Sequence, residues 1–310
     1  MRSVLCLLVV PFLALSGDRP TYDFLRGDVG ARASAMAGSF VSMNGDPVSM
    51  FYNPAGLATL AGPQAAFGYT NHLLDINAGF AAYAQSVDGI GLFGFGVNYM
   101  DYGDFTKTDI FANDLGTFTA GDLALSLSMA NPLEENLYYG VTVRYIRSTI
   151  DASSSSAIAG DAGLLYLIPG DDPITIGLVV SNAGTQTDPY VDTKEPLPLD
   201  VRIGGTVKPQ HLPLQLSLNF HRLNDPADSF FERFTSFTVG GEFTLSKALR
   251  FRFGYNNERR KELKIGSSAG MAGFSLGGGL VMNKLRIDYG FTSLGSRIGS
   301  ISMITVALDV

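Results

Sequence analysis

The chain has 310 residues, a net charge of −7 and one cysteine, with an isoelectric point near 4.9. The acidic balance excludes a nucleic-acid surface, which needs a basic face. Cys6 lies in the N-terminal apolar run, which leaves the rest of the chain without disulfides, thiolate catalysis or cysteine metal sites.

Charged residues make up 16% of the chain, below the roughly 25% of a soluble domain, and mean hydropathy is +0.17. Yet beyond the N-terminal run no apolar stretch approaches the ~18 residues of a spanning helix. Hydrophobicity is therefore spread residue by residue, as in a membrane barrel with one face to lipid and one to the lumen. The alternative is a soluble β-sandwich or lipocalin-like barrel.

Met1-Arg2 precedes an apolar run from Val4 to Leu15 and then Ser16-Gly17, the pattern of a secretory signal peptide over residues 1–17. Residues 18–62 differ in composition. Gly30-Ala31-Arg32-Ala33 through Gly38 is rich in small residues, and Asn53-Pro54-Ala55-Gly56 carries a turn signal,. This segment reads as a hatch or plug, with Ala31–Ala37 a short helix.

Residues 63–310 read as a transmembrane antiparallel β-barrel of about fourteen strands, all-β in class. The two faces show in the alternation of Leu137, Tyr139, Val141, Val143 and Tyr145 with Thr142 and Arg144. Leu249, Phe251, Phe253 and Tyr255 alternate with Arg250, Arg252 and Gly254, and Leu285, Ile287, Tyr289 and Phe291 with Arg286, Asp288 and Gly290. The apolar set should face lipid and the polar set the lumen.

Connection lengths also alternate. Short ones fall at 86–89, 131–135, 169–173, 208–213, 246–248 and 283–284. Long ones fall at 101–116, 148–156, 183–198, 221–233, 256–266 and 293–299. An even strand count puts both chain ends and the short turns on the periplasmic side of a Gram-negative outer membrane, with the long loops outside. With no Trp, the interfacial girdle falls to 13 Tyr and 21 Phe,.

Candidate chemistry is sparse. Gly89-Ile90-Gly91-Leu92-Phe93-Gly94 matches a dinucleotide fingerprint, but Phe95–Tyr99 continues as strand where that site needs a helix,. Glycine placed for close hatch packing fits better, with a lateral exit toward lipid the rival reading. His72, His211 and His221 are dispersed, and no serine sits in a nucleophile elbow. The expectation is neither enzyme nor metal site, and no cofactor. Arg144, Arg202, Arg250, Arg252 and Arg286 fall on lumen faces, with Asp122, Glu242 and Asp288 as partners. They read as a structural ion-pair network, against an anion-selective pore. The long loop carrying Tyr102, Asp104, Phe105, Asp109 and Phe111 mixes acids with aromatics, which suits a partner-docking surface or an inward cap.

The stretch Gly30–Gly38, Asp46-Pro47 and Asn53–Leu57, with Tyr102-Gly103-Asp104-Phe105, Gly116–Asp122 and Asp288–Phe291, resembles the PorV/PorQ family of FadL-like outer-membrane barrels. The resemblance covers nearly all of the chain beyond the signal segment. It implies a fourteen-strand barrel in outer-membrane lipid, a component of a type IX secretion system. Its role there would be to anchor a PorZ-like surface partner of the cargo attachment complex. The Asn-Pro-Ala segment is shared with FadL-like transporters of hydrophobic compounds, which is the alternative function. A transporter predicts an apolar tunnel past Asn53.

Overall fold

The computed structural model describes residues 20–264 and 270–310. The signal-peptide reading lies outside the described residues. Fourteen strands form one closed barrel: β1 (Gln64–Asn71), β2 (Asn77–Val87), β3 (Gly91–Thr108), β4 (Asp114–Glu134), β5 (Leu137–Ile150), β6 (Ser153–Ile168), β7 (Ile174–Asp188), β8 (Asp200–Val207), β9 (Leu214–Phe220), β10 (Phe237–Thr244), β11 (Leu249–Asn256), β12 (Phe274–Met282), β13 (Leu285–Ser293) and β14 (Ser300–Asp309). Each pairs antiparallel with its chain neighbours, and β1 closes on β14 with Gln64 opposite Asp309. Closure gives every strand a paired neighbour on each side, the condition for β-structure in lipid.

The expected faces hold. In β5, Val141, Val143 and Tyr145 are exposed while Thr142, Arg144 and Ile146 are buried. In β13, Tyr289 is exposed on the outside and Asp288 is buried. No helix among the described residues is long and apolar enough to cross a membrane; the wall is built from strands alone.

The wall is uneven. β3 to β7 run 14 to 21 residues, whereas the other strands run 7 to 11. The extra length corrects two expected loops. Residues 101–116 are largely strand, with Phe105 paired to Phe118 and Thr106 to Thr117 past a bulge at Asp101/Asp104. Residues 148–156 close in a two-residue turn between β5 and β6. In the first of these segments Phe105, Thr106 and Thr108 are of the types that favour strand,. The expected turn at 131–135 is also mostly strand, with an irregularity at Pro132/Glu134 where a proline is tolerated. The connection at 256–266 includes a short helix, α2 (Asn257–Glu262).

Inside, residues 20–62 make a 3-10 turn at Asp23–Arg26, the helix α1 (Ala31–Ala35), and 3-10 turns at Pro47–Phe51 and Pro54–Thr59. The last two start alike. Asp46 and Asn53 each cap the turn by accepting from the N–H two residues on, with proline at the first position,. Ala31, Ala33, Ala35, Met36 and Ala37 have no solvent exposure.

Lumen-facing glycines let this segment reach the wall. A Cβ on Gly277 would lie 2.4 Å from Ala35, and on Gly290 2.6 Å from the Ala31 carbonyl oxygen. On Gly254 it would meet the Ala37 nitrogen at 2.4 Å, on Gly140 the Pro54 carbonyl carbon at 2.3 Å, and on Gly177 the Val41 oxygen at 2.3 Å. Gly94, which ends the fingerprint-like run, and Gly96 just beyond it face Leu57, Met50 and Phe51 in the same way, which favours close packing. Gly140→Val should therefore overpack the wall and cost about 1–3 kcal/mol in urea unfolding. Gly205→Ala, with nothing within 4 Å of its added Cβ, should be near neutral. Equal effects would refute the close-packing account.

Candidate functional site

Three arginines and three carboxylates lock the inner segment to the wall. Arg32 donates to Glu242 at 2.9 and 3.0 Å and to Asp46 at 3.1 Å. Arg252 donates to Glu242 at 2.6 Å and to Asp288 at 2.8 Å. Arg286 donates to Asp288 at 2.8 Å and to Asp46 at 2.7 Å. The six groups close a ring of alternating charge with no net charge. Burial alone would push the Asp46 carboxyl up, but Arg286 and Arg32 outweigh it and hold it below its ordinary value.

The remaining expected lumen charges divide. Arg144 pairs with Asp161 at 2.8 Å and is held further by Ser126 at 3.1 Å and the side-chain Oδ1 of Asn182. Arg202 pairs with Asp200 at 2.7 Å. Asp122 is not a partner of arginine: it accepts from the hydroxyls of Tyr102 (2.7 Å) and Ser148. Arg250 makes no ion pair among the described residues; it donates to backbone carbonyls at the short-turn end and lines a polar cavity of about 270 Å³ with Arg32, Arg286 and Lys284. Arg32 and Asp46 escaped notice in the sequence because they lie outside the strands, where period-2 alternation gives no signal.

The docking residues also separate. Tyr102, Asp104 and Phe105 belong to β3, and Tyr102 points inward to Asp122. Asp109 and Phe111 occupy the tip, where Asp109 accepts from the N–H groups of Phe111 (2.8 Å) and Asn113 (2.9 Å). Phe111 is 78% exposed.

Asn53 does not border a tunnel. Its Nδ2 donates to the carbonyls of Val41 (2.9 Å) and Leu164 (3.0 Å), and its Oδ1 accepts from Ala55. A Cβ on Gly163 would sit 2.0 Å from that oxygen. The carboxamide clamps the inner segment to β6 and seals this side.

The open volume lies across the barrel. A cavity of about 440 Å³ is bounded by the start of the inner segment, β1 to β3, β14 and α2. Phe24, Val29, Ala78, Phe80, Met100 and Met303 give it an apolar lining, and His72, Arg259 and Glu262 edge it on the long-loop side. Burial and Arg259 hold the His72 pKa below its ordinary value, so the imidazole is neutral at pH 7. The cavity exceeds the about 150 Å³ that suffices to hold benzene in an apolar protein interior.

No family model and no curated protein matches this chain. Solved structures do. The toluene transporter TbuX of Ralstonia pickettii superposes with a TM-score of 0.59 at 14% identity, over 92% of this chain and 97% of that one. The toluene transporter TodX of Pseudomonas putida gives 0.61 at 14%, over 90% and 96%. A FadL homologue of Pseudomonas aeruginosa gives 0.56 at 12%, over 91% and 98%. The fold is FadL-like. A closed fourteen-strand wall with an apolar exterior is an outer-membrane barrel, and two of these neighbours are toluene transporters.

The ring carries a prediction. Arg252→Met leaves Glu242 and Asp288 each short of a buried partner, and should cost about 3–5 kcal/mol in urea unfolding. The pH dependence has a definite sign. The Asp46 pKa is depressed in the fold, so its contribution is full above its ordinary 3.8 and is lost only as pH falls through the lower folded value,. Proteolytic protection of residues 20–62 should hold from pH 7 to 5 and weaken only below about pH 4. Release between pH 7 and 5 would contradict the ring.

Proposed function

We propose that this chain is a FadL-like outer-membrane channel that admits small hydrophobic compounds. The apolar cavity carries the reading. It opens toward the long-loop side, it is bounded by the inner segment that plugs the lumen, and Phe24, Val29, Ala78, Phe80, Met100 and Met303 give it an apolar stretch beside the polar groups of its edge,. The fold shared with two toluene transporters supports the same class of cargo. The zero net charge of the ring and the pairing of Arg144 and Arg202 argue against an ion-conducting pore.

The experiment is uptake of radiolabelled toluene by cells expressing the full chain. Ala78→Trp fills the cavity from β2 and should cut uptake by about tenfold, the effect of ~1.4 kcal/mol at one site. Ala81→Trp on the same strand faces outward and should leave uptake unchanged. Uptake unaffected by Ala78→Trp in a folded barrel would sink the channel reading.

A second reading rests on the tall β3–β4 hairpin. It stands on the long-loop side with Ile110 at 92% and Phe111 at 78% exposure, and the PorV/PorQ resemblance gives such a projection a role in anchoring a PorZ-like partner of a type IX secretion system. Deleting 103–118 should then release a surface protein that co-purifies with the intact barrel. Retention of that protein would remove the hairpin as its dock.

A further inference from the structure

The short helix α2 sorts its charges. Glu258 and Glu262, one turn apart, both contact Arg222, the second at 3.8 Å. Arg259 reaches in to Asp28 at 3.1 Å. At about 100° per residue, Arg260 falls on the face opposite the two glutamates, and its guanidinium lies 5.8 Å over the ring of Phe274. Lys261 and Lys264 are exposed and make no ion pair among the described residues. Both acids of this connection thus contact Arg222, with Glu262 still more than half exposed, and Arg260, whose Nη1 also donates to the Gly270 and Ala272 carbonyls at 3.0 and 3.4 Å, joins Lys261 and Lys264 as a cation that makes no ion pair among the described residues.

Below them is a ladder of rings on the outer wall. Phe274 stands 5.1 Å from Tyr255, and Tyr255 stands 6.1 Å from Phe237, centroid to centroid. These three alternate with lumen-facing Ser275, Gly254 and Thr238, all buried, so the ladder faces lipid. It sits at the long-loop ends of β10, β11 and β12, where aromatic residues mark the membrane interface.

We propose that this face binds an anionic, phosphorylated lipid of the outer leaflet, with its headgroup phosphate on Arg260, Lys261 and Lys264 and its acyl chains along Phe237, Tyr255 and Phe274. Charge complementarity selects the phosphate. The contiguous aromatic ladder selects a lipid over a free anion, because an inorganic ion makes no use of it. The proposal rests on outer-membrane placement and is independent of whether the barrel transports anything.

The test is native mass spectrometry of the full-length barrel in mild detergent, titrated with bisphosphorylated lipid A. Lys261→Ala/Lys264→Ala removes exposed side chains that make no ion pair among the described residues, so the fold is not at risk. It should weaken lipid binding about thirtyfold, roughly fivefold per cation. Lys194→Ala, an exposed cation on the β7–β8 connection, should leave binding unchanged. The proposal falls if the double variant binds lipid A as the parent does, if Lys194→Ala loses as much, or if excess inorganic phosphate displaces the lipid.

Discussion

The structure depends on how closely one backbone can approach another inside the barrel. The segment from Ala31 to Leu57 touches the wall on several sides, and where the backbones come closest the wall offers glycine: Gly277, Gly290 and Gly254 around α1, Gly140, Gly163 and Gly177 around Val41 to Ala55. Any side chain at these positions would overlap hatch atoms. Glycine weakens a strand taken alone, but here each strand is flanked on both sides in a closed ladder, so the loss is absorbed by pairing. Small residues in the hatch meet small residues in the wall, and the plug is fixed by shape before any charge is considered.

The charge ring adds direction to that fit. Apolar groups of the same volume would hold the hatch about as well, since buried ion pairs are often replaceable without loss. Apolar contact tolerates sliding, whereas a bidentate Arg32–Glu242 bond and the Asp46–Arg286 bond specify one position. Three arginines against three carboxylates also cancel in charge within the ring. The ring thus fastens the plug without adding net charge to the lumen.

Much of this was legible in the sequence, for a physical reason. A barrel wall with lipid on one side and polar groups on the other writes its period directly into Val141, Val143 and Tyr145, and tight turns such as 169–173 and 283–284 fall where expected because proline, glycine and asparagine punctuate them. The hatch was visible as a change of composition. Its partners were not, because Arg32 and Asp46 meet Glu242 and Arg286 across more than two hundred residues and no local pattern records the meeting. The height of β3 and β4 was also hidden. Acidic residues such as Asp104 suggest a loop, yet a strand that rises above the membrane is free to carry them. The tunnel past Asn53 that a transporter predicts is not found there, because the turn proves to be a clamp.

These attachments differ in strength around the barrel, and that bears on passage under the channel reading. Toward β10 and β13 the hatch is held by the buried Arg32–Glu242 and Asp46–Arg286 pairs, each costly to break at about 3–5 kcal/mol. Toward β6 it is held by the Asn53 carboxamide, whose loss would strand buried carbonyls,. Toward β2 its contacts are apolar, as where Phe51 meets Phe80 edge-on at 6.0 Å. Such contacts have no preferred direction and leave no unpaired polar group when they part. A hydrophobic molecule leaving the 440 Å³ cavity therefore meets the smallest barrier between the hatch and the β1–β3 wall. The ring stays closed while that side gives way, which lets one plug be both firmly seated and locally compliant.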